Sequence, residues 1–258
     1  MSPSSRRSVR GAGAKELRVG SYARLDRGRP HRVGVPEIIL GEGKSPAHLV
    51  GILNALHAQR LGAVVSRPTS AQRSVLLSPA QRGLRIRELA GGRLLRLPGL
   101  LGAVYRRGTV AILTAGTSDV GAAEEARALL VELGLTVVRA YDVGVAGLHR
   151  LLRALRTLER RRPELYLVFA GREGALPTVV AGLVRAPVIG VPTSIGYGRG
   201  GRGEAALVAM LQSCAPIAVV NIDAAVPAAL FAAQHFVLRR APPPARSPKR
   251  SRSRAPHS

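Results

Sequence analysis

Cys214 is the single cysteine of the chain and stands in Gln212-Ser213-Cys214-Ala215-Pro216. The usual fate of such a residue is a buried, inert side chain. To act as a nucleophile it must become a thiolate, which needs a cation or base nearby, and Glu173, His149 and several arginines are the available partners. Four Gly-containing segments could form the rest of a site. Ala115-Gly116-Thr117-Ser118-Asp119 combines backbone freedom with hydroxyl donors ahead of a helix, which suits a phosphate, although Ser118 or Asp119 could simply cap that helix. Gly144-Val145-Ala146-Gly147-Leu148-His149-Arg150 puts a His-Arg pair at a helix start. Ala170-Gly171-Arg172-Glu173-Gly174-Ala175-Leu176-Pro177 sets an acid between glycines, where partial desolvation would raise its pKa for proton transfer. Pro192-Thr193-Ser194-Ile195-Gly196-Tyr197-Gly198-Arg199-Gly200-Gly201-Arg202-Gly203-Glu204 reads as a flexible, donor-rich lid.

These segments need a scaffold that brings them to one edge. Short apolar runs at 110–113, 137–140, 165–169, 188–191 and 217–221 alternate with helical patterns at 121–133, 148–160, 175–183, 204–211 and 228–236. That alternation predicts βαβ units and a doubly wound parallel sheet over residues 108–238, with ligands outside the carboxyl ends of the strands. Each segment above then follows a strand. Residues 16–107 are more polar, with one clear helical pattern at 46–61, and read as a smaller α+β domain joined near Arg106-Arg107-Gly108. The formal GxGxxG at Gly198, Gly200 and Gly203 comes too late in the sheet to be a dinucleotide fingerprint.

Composition narrows the function classes. With 258 residues and 46% hydrophobic content the chain can bury a large core. The formal charge of +24 is uneven: residues 1–18 hold +4 and residues 239–258 hold +7. Those ends, 1–15 and 239–258, read as disordered basic tails. Only Lys15, Lys44 and Lys249 are lysines, and aromatic residues make up 3%, which leaves little for stacking on single strands. Specific nucleic-acid binding is therefore not expected, nor is membrane insertion, and one cysteine with no apolar leader fits a cytoplasmic protein. No histidine spacing suggests a metal site, so metal ligands stay unassigned.

Taken together, Ala115–Asp119, Gly144–Arg150, Ala170–Pro177, Val188-Ile189-Gly190-Val191-Pro192 through Gly198, Met210-Leu211-Gln212-Ser213-Cys214-Ala215-Pro216 and Val219-Val220-Asn221-Ile222-Asp223 resemble the LarB family. These are the pyridinium-3,5-biscarboxylic acid mononucleotide synthases of nickel-pincer cofactor synthesis. The resemblance reaches into the first domain at Asp26, Arg29, Arg32, Gly34-Val35-Pro36-Glu37, Gly41-Glu42-Gly43-Lys44 and Ser66-Arg67-Pro68. The sheet domain also resembles the PurE carboxylases, which implies a flavodoxin-like sheet.

What the LarB resemblance implies is carboxylation of nicotinic acid adenine dinucleotide at C5 of its pyridinium ring, with carbon dioxide or bicarbonate as co-substrate and release of AMP. Cys214 would then be the covalent nucleophile and Glu173 the proton-transfer group. Substrate binding would fall to Gly116, Thr117, Ser118, Asp119, Gly147, His149, Gly174, Ala175, Thr193, Ser194, Gly196, Tyr197, Gly198, Lys44 and Arg67. Magnesium is expected near the phosphoanhydride, and a homo-oligomer, in PurE fashion an octamer, is expected as the assembly. The alternatives are a PurE-like aminoimidazole ribonucleotide carboxylase or mutase and a non-catalytic nucleotide- or RNA-binding protein. The former would carry Ser-Ala-His-Arg after the second strand, where Arg139-Ala140-Tyr141-Asp142 stands.

Overall fold

The computed structural model describes residues 16–101 and 107–238. The two expected basic tails, and Arg106 of the expected domain joint, lie outside the described residues. The first region opens with a hairpin, β1 (Glu16–Val19) and β2 (Ala23–Asp26), followed by α1 (Arg29–Val33). A mixed four-stranded sheet follows, from β3 (Ile38–Leu40), α2 (Pro46–Ala58), β4 (Ala63–Ser66), α3 (Ser70–Leu76), β5 (Arg87–Leu89) and β6 (Leu94–Leu97), in the order β3-β4-β6-β5. Ser45 caps α2 by accepting from the His48 N–H, with Pro46 in its first turn. That helix ends three residues short of the expected 61, and Arg60 has a left-handed φ of 57°. Thr69 and Gln72 form a capping box on α3.

The second region is β7 (Thr109–Thr114), α4 (Val120–Glu132), β8 (Thr136–Ala140), α5 (Leu148–Glu159), β9 (Leu165–Ala170), α6 (Ala175–Ala181), β10 (Val188–Pro192), α7 (Glu204–Leu211), β11 (Ile217–Val219) and α8 (Ala225–Leu238). All strand pairings are parallel, in the order β11-β10-β9-β7-β8. Counted within this sheet the order is 2-1-3-4-5, the flavodoxin-like arrangement expected from the alternating pattern, with the switch point between β7 and β9. The last strand stops at Val219 rather than 221, and the last helix starts at Ala225, three residues before the expected 228.

Strand alternation assigns the two faces of the parallel sheet. Val110, Ile112, Leu165, Leu167, Phe169, Ile189 and Val191 meet α4 and α8, whereas Ala111, Leu113, Tyr166, Val168 and Val188 meet α5, α6 and α7. On α5, Leu151, Leu155 and Leu158 are buried at helical spacing and Arg150, Arg153 and Arg156 stay in water. The α4 and α8 pair is different. Val64 and Leu94 from the N-terminal sheet reach the same core as α4 and α8, so these helices lie between two sheets. Buried Ala228, Ala229, Ala232 and Ala233 let α8 lie close to α4, and Phe236 fills the space left by Gly108.

One buried ion pair ties the two regions. Arg96 on β6 donates from Nε to Glu132 at 2.8 Å and from its terminal nitrogens to the carbonyls of Leu97 and Gly99. Removing one member of such a pair strands a charge in a poorly solvated place. Glu132→Ala should lower unfolding free energy by about 3 kcal/mol in urea titration, against less than about 1 kcal/mol for Arg87→Ala on the exposed side of the same carboxylate.

Candidate functional site at the carboxyl edge of the parallel sheet

At the carboxyl edge, the loops after β7 and β10 are joined through Asp119. One carboxylate oxygen accepts from the Gly116 N–H at 2.8 Å and the other from the Thr193 hydroxyl at 2.6 Å. Asp119 therefore does not cap α4 with its side chain. It locks two loops together and leaves Ser118 exposed beside them. The loop after β11 is fixed similarly, with Asp223 accepting from the Ser194 N–H at 2.9 Å. Gly171 is required because a Cβ there would sit 2.3 Å from the Ile195 carbonyl oxygen.

Facing these loops is a wall from the N-terminal region. Arg67, in a left-handed conformation, donates to the Asp223 carbonyl at 2.7 Å. Between the regions lies a cleft of about 660 Å³ whose lining includes Arg67, Arg73, Arg93, Glu125, Ser118, Thr193, Ser194 and Asp223. The 41–44 segment is pinned beneath it by buried Gln72, whose amide donates to the carbonyls of Gly41 and Lys44. Of that segment Glu42 lines the cleft, whereas the Lys44 ammonium turns to the Leu40 carbonyl at 2.9 Å.

Of the expected substrate-binding residues, the structure gathers Arg67, Ser118, Thr193 and Ser194 on the cleft, with Gly116 and Asp119 directly behind and Thr117 exposed on the same loop. Gly174 and Ala175 begin α6 on the neighbouring strand end, Gly174 with a φ of 64°. Gly196, Tyr197 and Gly198 extend from the loop after β10, and Arg172 stacks on Tyr197 with its guanidinium 5.1 Å from the ring centre. The expected lid is a 3-10 turn over Gly198–Gly203, anchored where Gly203 packs on the Thr193 carbonyl. Gly147 and His149 sit at the start of α5 beyond the edge strand β8, outside the cleft lining, and Arg150 is held there by Asp142 at 2.8 Å.

One expectation is corrected. Glu173 is not desolvated: its side chain is 64% exposed, with Arg172 at 3.9 Å. The burial falls instead on Asp119 and on Glu125, whose side chain is only 5% exposed. Burial lifts the Asp119 carboxyl above the usual aspartate range, overcoming its hydrogen bonds to Thr193 and Gly116, with the Asp223 charge pushing the same way. Burial likewise raises Glu125, with Arg93 and Arg67 pulling it back.

Cys214 is exposed rather than buried. The Ser213 hydroxyl, receiving a hydrogen bond from Thr178 at 2.8 Å, accepts from the Ala215 N–H and donates to its carbonyl, fixing the turn that presents the thiol. That turn precedes Ile217, which pairs with Val188 at the start of β10, whereas Glu173 follows Ala170, which pairs with Pro192 at its end. The rise from Val188 to Pro192 is about 13 Å. One chain therefore does not bring Cys214 and Glu173 around a single ring.

Sequence reasoning missed Arg73, Arg93 and Glu125, and held Asp223 only as the end of the Val219–Asp223 segment, with no role assigned. The Gly91-Gly92-Arg93 run and an acid inside the alanine-rich helix at 125 were the available signals. Among the described residues no group of three or more His, Cys, Asp or Glu side chains is placed to hold a metal ion, so none is assigned to magnesium. Among them also, no helix is long and apolar enough to cross a membrane.

Residues 109–245 match the AIR carboxylase family model, and residues 16–90 match the LarB/PurE-like N-terminal domain. The chain belongs to the AIR carboxylase family. It is 39% identical over 217 residues to the uncharacterized protein MJ0165 of Methanocaldococcus jannaschii, covering 81% of this chain and 82% of that one. It is also 30% identical over 133 residues to the N5-carboxyaminoimidazole ribonucleotide mutase of the same organism, covering 50% of this chain and 80% of the mutase. A solved structure of a Treponema denticola PurE2 variant is 29% identical, with a TM-score of 0.43, over 52% of this chain and 82% of that chain.

The raised Asp119 carboxyl has a measurable consequence. A group that binds its proton more tightly when folded favours the folded state at low pH and loses that contribution as pH rises through its folded pKa. Asp119→Asn, which cannot ionise, should fall less in unfolding free energy than the wild type as pH climbs through and above the usual aspartate range, read by urea titration at each pH.

Proposed function

We propose that this family member carboxylates nicotinic acid adenine dinucleotide at C5 of the pyridinium ring and hydrolyses its phosphoanhydride, one water being consumed at the P–O–P link, releasing AMP and pyridinium-3,5-biscarboxylic acid mononucleotide. The observation that carries this reading is the composite cleft. Hydroxyls of the parallel sheet face arginines of a region that has no counterpart in the half-length match to the mutase.

The chemistry asks for a nucleophile because a pyridinium ring is electron-poor. The Cys214 thiolate adds at C4, and the ring becomes a neutral dihydropyridine whose C5 carries enamine electron density. C5 then forms a bond to the carbon of carbon dioxide while the ring nitrogen becomes cationic. Glu173 takes the proton from C5, and the returning electron pair expels the thiolate from C4, restoring the aromatic ring. Ser118, Thr193 and Ser194 hold the ribose and phosphates, and the exposed Tyr197 with Arg172 covers the ring.

Because Cys214 and Glu173 lie at opposite ends of the strands within one chain, the thiol in this reading comes from a second copy. The face carrying Cys214 supports that assembly. Val208 and Leu211 on α7 are 53% and 65% exposed, and Leu183 after α6 is 50% exposed, an apolar surface suited to a closed homo-oligomer.

Purified protein incubated with the dinucleotide, magnesium and bicarbonate should yield both AMP and the dicarboxylated mononucleotide by mass spectrometry. In Cys214→Ala the carboxylated product should fall by on the order of 10³-fold or more. Conversion of N5-carboxyaminoimidazole ribonucleotide with no dinucleotide turnover would replace this reading with the mutase one.

A further inference from the structure

Arg67, Arg73 and Arg93 enter the cleft from the N-terminal region. A solvated, arginine-rich surface would hold such side chains loosely, but each of these is seated. Arg67 is tied to the Asp223 carbonyl, and Arg73 to Glu88 through Nε and Nη2 at 3.2 and 2.9 Å. Arg73 lies over Gly92, where a Cβ would come within 2.4 Å of its guanidinium carbon. Arg93 lies over Gly121 on α4, where a Cβ would come within 2.7 Å of Nη2. Both glycines therefore leave room for a guanidinium.

The tethers do not exhaust the donors. A guanidinium offers five N–H groups, and Arg93, 52% exposed, faces the buried Glu125 carboxylate at 3.8 Å, beyond hydrogen-bond length. Glu125 thus fixes where the Arg93 charge sits without consuming its fork. The acids of the cleft leave N–H groups of the wall open to a ligand: Asp223 turns an oxygen to the Ser194 N–H, Glu125 stands 3.8 Å from Arg93, too far to hydrogen-bond it, and Glu42 is exposed.

We propose that Arg67, Arg73 and Arg93 form one anion-binding wall whose ligand is a phosphoanhydride, two linked phosphates, with Glu125 as the residue that positions Arg93. The assignment deepens the proposed function by giving the N-terminal region the phosphoanhydride of the dinucleotide, and on the dinucleotide it rests on that reading. Guanidinium forks match phosphate oxygens bidentately, and a seated fork loses little conformational freedom on binding. The opposite side of the cleft supplies the Ser118, Thr193 and Ser194 hydroxyls, which suit an attached ribose.

The test is calorimetric titration of the full chain with ADP-ribose, which carries the phosphoanhydride without a pyridinium, and with AMP, which has one phosphate. ADP-ribose should bind the wild type more tightly than AMP. Arg73→Ala and Arg93→Ala should each weaken ADP-ribose roughly 10- to 100-fold, and AMP less. Arg93→Lys should recover only part of the loss, and Glu125→Gln should weaken ADP-ribose while melting as a folded protein. Arg156→Ala, an exposed charge on α5, is the control expected to bind as wild type. ADP-ribose affinities unchanged in Arg73→Ala and Arg93→Ala would overturn the wall. If those variants also turn over the dinucleotide with an unchanged KM, the wall fails and the proposed reaction stands. Arginine-dependent ADP-ribose binding without dinucleotide turnover keeps the wall and sinks the reaction.

Discussion

The burial of α4 and α8 between two sheets is the constraint from which the site follows. A helix covered on one side needs one apolar stripe, but these two are covered on two, so small residues recur on both: Ala123, Ala126 and Ala128 are buried in α4 and Ala225, Ala228, Ala229, Ala232 and Ala233 in α8. The arrangement holds the four-stranded sheet against the parallel one, with Arg96 and Glu132 fixing the contact. Only because the regions share this core can Arg67 reach the loop after β11 and can arginines of one region face hydroxyls of the other. The start of α4 serves both sides of the cleft. Gly121 beneath Arg93 and Glu125 beside it come from the same helix that the Ser118-Asp119 turn begins.

Much of this architecture was legible in the chain. The strands at 110, 137, 165, 188 and 217 and the helices between them follow from the alternation of short apolar runs with longer helical patterns. The flavodoxin-like order then puts the Gly-containing loops on one edge. Ser118, Thr193, Ser194 and Arg67 line one cleft there, with Asp119 bonded to Thr193 behind them. Arg73, Arg93 and Glu125 were not legible, because their roles depend on how two sheets stack, and stacking leaves no local period. Glu125 reads in sequence as one more acid in a helix's first turns. Only the covering sheet makes it a buried one.

Glu173 and Cys214 show the same limit from the other direction. Glycines around Glu173 suggest an enclosed acid, yet the strand end projects it into solvent, while the acid that is enclosed, Asp119, spends its oxygens on Gly116 and Thr193. Local pattern places Cys214 behind a helix but does not say to which edge of the sheet that helix returns. Parallel connectivity decides it: each helix runs back from the carboxyl edge, so a residue just before a strand lies at the opposite edge. A reaction that uses both the thiol and the cleft must then draw on two copies, and the helix that leads to Cys214 carries exposed apolar side chains at Val208 and Leu211.

That requirement is the most exposed point of the account. Glu173→Gln and Cys214→Ala proteins, each inactive alone, can be mixed, dissociated and reassociated, and the carboxylated product measured. If one copy supplies Glu173 and its neighbour the thiol, random mixing restores both residues to about a quarter of the sites, and activity returns to that fraction of wild type. Activity that stays at the level of the separate variants, in a mixture shown to contain hybrid assemblies, would place both residues in one chain's site and contradict the account.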